Sequence, residues 1–115
     1  MTQRFSNIVV NIAKLRDYCL SEEHPRGRNK ARVFRSRLGL TAHDAQWLRQ
    51  ALLDAAHERQ QNLLPTDADE FGQRYVLDFP LTTAAGSAKV RYAWIVLTGE
   101  DVLKLTSCYV LRSRP

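Results

Sequence analysis

The chain has 115 residues, a length that accommodates one domain with a single modest core and excludes two. Its hydrophobic content of 44% and charged content of 25% are typical of a soluble globular protein. The 17 Lys and Arg residues outnumber the 12 Asp and Glu residues, which gives a net charge of +5. A basic surface attracts polyanions, nucleic acid before an anionic membrane or an acidic protein, although simple solubilising charge is an open alternative.

The two cysteines, Cys19 and Cys108, have neither metal-ligand nor redox spacing. One disulfide between them is compatible with the sequence, but no apolar run reaches the length of a signal-peptide core or a membrane span. We therefore expect reduced thiols in a cytoplasmic protein with no membrane partner. A toxin domain delivered into the cytoplasm of a target cell would have the same features.

The amino-terminal segment predicts one strand and one helix. Ile8, Val9 and Val10 are β-branched and indicate a short edge strand. Asn11 is then placed to cap a helix over residues 13–21, which ends before Pro25 because the residue preceding a proline is pushed out of the helical region.

Two further helices are predicted in the next forty residues or so. The second helix runs from Asn29 to Leu38, and Gly39 is a natural carboxy-terminal stop. Thr41 and Asp44 have the spacing of a capping box, and they precede a third helix over residues 42–61.

The pattern then changes from helical to alternating. Residues 63–70 contain Pro65 and two Asp residues and are predicted to form a loop. Alternating apolar residues predict three strands joined by short turns, with these residues sharing a face in each strand: Tyr75, Leu77, Phe79 and Leu81; Val90, Tyr92, Trp94 and Val96; Leu103, Leu105, Ser107, Tyr109 and Leu111. The sequence therefore predicts a single α+β domain over residues 1–115. About three N-terminal helices pack on one face of a C-terminal antiparallel sheet of three or four strands.

Candidate chemistry concentrates between His24 and Arg37. No metal-ligand spacing, phosphate-cradling glycine loop or nucleophile elbow is present, so we expect no metal and no cofactor. Cleavage of RNA without a metal needs a base, an acid and cations that hold the charged phosphorane. A histidine suits either proton transfer, and Arg28, Lys30 and Arg32 suit the phosphate. A solvated basic helix with a loop histidine packed on proline would show the same spacing.

Several segments together resemble an uncharacterised bacterial domain family. The most specific is a His-Pro-x-Gly-Arg-x-Lys-Ala block, which begins at His24 and ends at Ala31. The other matching segments are Lys14 to Leu20, Phe34, Leu38-Gly39, Phe71 to Tyr75, Trp94 to Val96 and Leu105-Thr106. The family in turn resembles, more distantly, the barnase, EndoU, colicin D and RelE-like ribonuclease toxins.

That resemblance implies a fold in which helices are followed by an antiparallel sheet. It also implies RNA cleavage without a metal, carried out by a His, Lys or Arg side chain together with a Thr, Ser or Tyr side chain near the last strand. It marks as catalytic candidates His24, Lys30 and Thr106. The candidates for RNA and phosphate binding are Arg26, Arg28, Arg32 and Arg35, and Tyr109 and Arg74 are further candidates. One departure is that Cys108 stands where the family has a tyrosine, so Tyr109 joins Thr106 only if a β-bulge intervenes.

Three functions remain open. The first is a metal-independent endoribonuclease of bacterial toxin type that acts on RNA and is neutralised by an acidic antitoxin or immunity protein. The second is a nucleic-acid-binding module without catalysis, and the third is a protein-interaction domain whose basic helix docks on an acidic partner.

Overall fold

The computed structural model describes residues 5–111, which form an α+β fold. Strand β1 (Asn7–Val9) precedes helix α1 (Ile12–Lys14), which continues as a π-helical turn over Leu15–Cys19. Two longer helices follow, α2 (Arg28–Leu38) and α3 (Ala45–Glu58), and short 3-10 turns flank α3 at Ala42–Asp44 and Gln60–Asn62. The remaining strands are β2 (Leu64–Ala68), β3 (Gly72–Thr83), β4 (Gly86–Leu97) and β5 (Val102–Val110).

The sheet has five strands in the order β1-β5-β4-β3-β2. Strands β2 to β5 are antiparallel, but β1 pairs in parallel with β5, so that Asn7 lies opposite Val102. The predicted antiparallel sheet of three or four C-terminal strands is therefore corrected to a mixed sheet with one N-terminal strand. Short turns indicate only neighbours along the chain, whereas the pairing of β1 joins distant segments.

The prediction of a loop over residues 63–70 was wrong, because Leu64–Ala68 is strand β2. Pro65 lacks the N–H group that a central strand requires, but β2 lies at the edge of the sheet and its register shifts between Pro65 and Ala68. Every residue of β2 is exposed, so no buried face marked it as a strand.

The helix predictions are confirmed for α2 and corrected for α1. Helix α2 begins one residue earlier than expected, and Gly39 ends it in the left-handed conformation with φ of 68°. The first helix is only three residues long and then becomes a π turn. In this turn the Leu20 N–H donates to the Leu15 carbonyl at 2.8 Å, and a hydrogen bond between residues five apart defines a π turn. The capping box is present, since Asp44 accepts from the Thr41 N–H at 2.9 Å.

One hydrophobic core joins the helices to one face of the sheet, and it includes residues of every strand except β2. On β5 the buried face changes partway along the strand because of a β-bulge. Leu105 pairs with Trp94 and Ser107 pairs with Ala93, the residue before Trp94. Thr106 is therefore left as an extra residue without a partner in the register. The predicted common face therefore ends at Leu105, and Cys108 and Val110 are buried instead of Ser107 and Tyr109. Within residues 5–111, no helix is long and apolar enough to cross a membrane.

Candidate functional site

A cavity of about 650 Å³ opens where the π-helical turn, the loop before α2 and the bulge of β5 meet. Three residues predicted from the sequence line it together, namely His24, Arg26 and Thr106. Its other lining residues are Ala13, Lys14, Asp17, Tyr18 and Ser107. The fold thus places the histidine loop beside the last strand.

His24 is half-buried and is held in one orientation by its own loop. Its Nδ1 accepts hydrogen bonds from the backbone N–H groups of Arg26 at 3.1 Å and Gly27 at 3.2 Å. Its ring meets the Tyr18 ring edge-on, with the centroids 4.7 Å apart. Because Nδ1 is an acceptor, the neutral ring carries its proton on Nε2, and that N–H has no partner among the described residues. His24 therefore offers a hydrogen-bond donor to a ligand in the cavity.

Gly27 explains why the loop can pack so closely on the π-helical turn. It is the N-cap of α2, and a Cβ at this position would collide with the carbonyl oxygen of Tyr18. The absence of a side chain lets the start of α2 lie against the π-helical turn, which fixes the distance between that turn and the His24 loop.

Thr106 reaches the cavity because of the bulge. Its hydroxyl donates to the Ala93 carbonyl at 3.1 Å, which anchors the extra residue to β4. The pairing of β1 with β5 ends at Lys104, so the part of β5 that follows faces α1 and the His24 loop instead of another described strand. At and beyond the bulge, Thr106, Ser107 and Tyr109 are all half-buried, and the Ser107 hydroxyl oxygen is itself buried.

The charge in the cavity is positive. Lys14 and Arg26 are exposed cations with no ion pair among the described residues. The one carboxylate in the lining, Asp17, is neutralised by Arg16 through two hydrogen bonds of 2.9 Å, and these bonds lower the pKa of Asp17. The cavity therefore suits an anionic ligand such as a phosphate.

Lys30 opens onto a neighbouring cavity of about 300 Å³ instead of the first one. Its Nζ lies 4.5 Å above the centroid of the Tyr109 ring, a cation–π contact across the gap between α2 and β5. Asn29 also lines this second cavity, together with Val33, Val110 and Leu111. Thr106 and Tyr109 are three residues apart on β5, so the two cavities follow one another along the same strand edge.

The remaining predicted residues lie elsewhere. Arg28 and Arg32 are exposed on α2 and line neither cavity, while Arg35 forms an ion pair with Glu22 at 3.3 Å. Arg74 lies on β3, two strands from β5, where Asp69 holds it at 2.8 Å and Asp67 at 3.4 Å. The structure does not bring Arg74 to the candidate site.

Three members of the site were missed by sequence reasoning. Lys14 and Tyr18 are four residues apart, a spacing that places two side chains on one helical face, and this was the available signal. Ser107 had no such signal, because regular alternation assigned it to the buried face together with Leu105, whereas the bulge places it in the cavity wall with its hydroxyl oxygen buried.

Among the described residues, no three side chains of His, Cys, Asp or Glu gather as metal ligands do.

A family model described as a domain of unknown function (DUF6883) matches residues 2–112, nearly the whole chain. No curated protein matches the chain.

Proposed function

The chain belongs to this family, DUF6883, and we propose from its own residues that it is a metal-independent endoribonuclease of bacterial toxin type. The observation that supports the proposal is the shared cavity, in which His24 and Arg26 face Thr106 although some eighty residues of sequence separate them. Metal-free phosphoryl transfer from RNA requires proton transfer and stabilisation of the negative charge on the phosphate, and a histidine and two unpaired cations are groups suited to these two tasks.

In such a reaction the 2′-oxygen of the RNA attacks the adjacent phosphorus and the 5′-oxygen leaves. The 2′-hydroxyl gives up its proton, the leaving oxygen gains one, and negative charge builds on the non-bridging oxygens in between. Lys14 and Arg26 would stabilise that charge, and the His24 Nε2–H would donate to the same phosphate. We assign both proton transfers to Nε2 of His24, which would take the proton of the 2′-hydroxyl and return it to the 5′-oxygen. The neutral ring must then carry its proton on Nδ1, so binding of RNA must release the hydrogen bonds that Nδ1 accepts from its loop.

The second cavity extends the proposed substrate site. An RNA strand along the edge of β5 would meet Lys30 and Tyr109 after passing Thr106, about 10 Å further along the strand. Lys30 would then bind a neighbouring phosphate as a point charge, not take part in the chemical step. We propose RNA as the partner. The proposed site of action is the cytoplasm, either of the cell that makes the protein or of a target cell.

The test is cleavage of single-stranded RNA in the presence of a chelator. We expect cleavage by the wild type and a loss of roughly 100-fold or more in rate for His24→Ala, with Lys30→Ala reduced less because it acts through binding. The matched control is Arg37→Ala, which removes an exposed cation of α2 that lines neither cavity. Equal rates in all four proteins, or cleavage by none, would rule the proposal out.

His24→Asn separates the chemical role of the ring from its role in the loop. The Asn Oδ1 can accept hydrogen bonds from the Arg26 and Gly27 N–H groups, as Nδ1 does now, but it has no imidazole. We expect this variant to be folded and as inactive as His24→Ala. Full activity would mean that His24 only holds the loop.

One observation favours a second candidate function, the binding of nucleic acid without cleavage. Nδ1 of His24 is already occupied by its loop, an arrangement that a purely structural histidine would also have. A binding module predicts RNA retention that weakens with salt and is unchanged in His24→Asn. Such retention without any cleavage would replace the first proposal with this one.

An acidic protein is the proposed inhibitor, as an antitoxin or immunity protein would be. Helix α2 displays Arg28, Lys30, Arg32 and Arg37 without an ion pair among the described residues, and no acidic residue lies in its first turn. A carboxylate-rich surface that covers this helix would block the second cavity, which Asn29, Lys30 and Val33 of α2 line, and it would be complementary in charge.

A further inference from the structure

The fold brings together two cysteines that lie at opposite ends of the sequence. Cys19 ends the π-helical turn and Cys108 lies on β5 just past the bulge, and each is a free thiol with 1% of its surface exposed. Both belong to the same hydrophobic core. Their sequence spacing gave no sign of a pair, because the bulge is what turns Cys108 inward.

The environment of the two thiols is asymmetric. Hydrogen bonding from the Cys108 thiol lowers the pKa of Cys19 to about 7, and the positive charge of Lys14 acts in the same direction. The same hydrogen bond, together with burial, raises the pKa of Cys108. One sulfur is thus suited to attack as a thiolate while the other waits protonated beside it.

The pair lies directly behind the first cavity. Tyr18 and Ser107 line that cavity, and they immediately precede Cys19 and Cys108 in the sequence. Lys14 contributes both to the cavity and to the surroundings of Cys19. Neither thiol lines the cavity and each is 1% exposed, so the route that we propose for the oxidant leads through this cavity and past Tyr18 and Ser107.

We propose that Cys19 and Cys108 form a redox modification site, at which hydrogen peroxide converts the two thiols to a reversible intramolecular disulfide. The Cys19 thiolate attacks one peroxide oxygen, the O–O bond breaks, and a sulfenic acid forms while the departing hydroxide takes up the proton that Cys19 had lost and becomes water. The Cys108 sulfur then attacks the Cys19 sulfur, an S–S bond forms, and the hydroxyl leaves as water with the Cys108 proton. In total, two thiols and one peroxide give one disulfide and two waters.

The disulfide would join the π-helical turn to β5 and so fix two walls of the cavity relative to each other. It would also close most of the chain into one loop, which restricts the unfolded state and favours the folded one. This inference is independent of RNA cleavage, since it needs only the two thiols and the oxidant.

The experiment treats the reduced full-length protein with hydrogen peroxide and follows intact mass and non-reducing peptide maps. We expect a loss of two hydrogen atoms, a peptide pair linked through Cys19 and Cys108, reversal by dithiothreitol, and a higher thermal midpoint for the oxidised form. Unchanged thiols, separate sulfinic acids, or disulfides only between molecules would overturn the proposal.

The variant Cys108→Ala tests the order of the steps. Without its partner, Cys19 should accumulate as a sulfenic acid that dimedone traps, and trapping at Cys19 should be far weaker in the wild type. Equal trapping in both proteins would contradict the proposed resolving role of Cys108. If the buried substitution prevents folding, the wild-type peptide map still decides the proposal.

Discussion

At the scale of single residues, His24 links the fold to the site. Its Nδ1 holds the loop that starts α2, its ring packs on Tyr18, and its Nε2 is left for a ligand. A local motif was enough to select this residue from the sequence. The direction in which each ring nitrogen points depends on the loop conformation, which the motif does not specify.

The tautomer of His24 is a direct prediction. With Nδ1 accepting from two N–H groups, the neutral ring should be protonated at Nε2. Nitrogen chemical shifts of the imidazole ring above neutral pH measure this, with His57 on the exposed face of α3 as the reference. A neutral ring protonated at Nδ1 would contradict the hydrogen bonds described for the loop.

Gly27 should be intolerant of a side chain. In Gly27→Ala the added Cβ meets the Tyr18 carbonyl oxygen, and backbone cannot yield as a flexible side chain does. We expect a loss of about 1–3 kcal/mol in the free energy of unfolding, measured with denaturant. Ser36→Ala, on the exposed face of α2, is the control and should change stability by less than about 0.5 kcal/mol. An unchanged free energy of unfolding in Gly27→Ala would show that the loop is not packed on the π-helical turn as described.

At the scale of helices and strands, local patterns predicted what depends on neighbours along the chain. Helix α2 and the three long strands were predicted because their apolar residues recur with the right period. The parallel pairing of β1 was missed because its partner β5 lies far along the chain, and strand β2 was missed because it has no buried face. The bulge at Thr106 was raised only as a condition, since it depends on how β5 pairs with β4. The histidine loop was selected as a candidate site because its residues are neighbours in the sequence. Ser107 was not selected, because its place in the cavity depends on the bulge.

The pairing of β3 with β4 carries an ion pair whose effect should depend on pH. Arg91 donates two hydrogen bonds of 2.8 Å to Asp78, and these lower the pKa of that carboxyl. A folded pKa below the unfolded value of about 3.9 means that the pair stabilises the protein above that pH. The contribution is lost as the pH falls through the folded pKa, because Asp78 is then protonated.

Asp78→Asn should therefore lower the free energy of unfolding at pH 7. The loss should be less than about 1 kcal/mol, because the side chains of Arg91 and Asp78 are each about a third exposed and solvent screens the pair. At a pH below the folded pKa the variant and wild type should be equal. Denaturant unfolding at the two pH values measures this, with Asp54→Asn on α3 as the control. An equal loss at both pH values would assign the effect to packing instead of charge.

At the scale of the whole molecule, the positive charge is unevenly balanced. Cations on the sheet are largely paired, Arg74 with Asp69, Arg91 with Asp78 and Lys104 with Glu100, while those beside the two cavities are not. The net charge of +5 was visible in the composition. Which cations stay unpaired was not, because that depends on which carboxylates the fold brings next to which cations.

RNA affinity should therefore depend on salt through the cavity cations. For a single strand, each phosphate contact contributes about −0.7 to the slope of log K against log salt concentration. Arg26→Ala should reduce the magnitude of the slope by about that amount, whereas Arg37→Ala should leave it unchanged. Fluorescence anisotropy with a labelled oligonucleotide measures both, and identical slopes in the two variants would mean that the cavity does not select the phosphate.

The most direct measurement maps where RNA binds. A short single-stranded RNA with 2′-O-methyl groups cannot be cleaved, because the 2′-oxygen has no proton to lose, and its titration can be followed by amide chemical shifts. The predicted result is a set of shifts at both walls of the first cavity, around His24 and Arg26 on one side and around Thr106 and Ser107 on the other. Shifts confined to the exposed face of α2, or none at all, would contradict the proposal that this cavity receives the scissile phosphate.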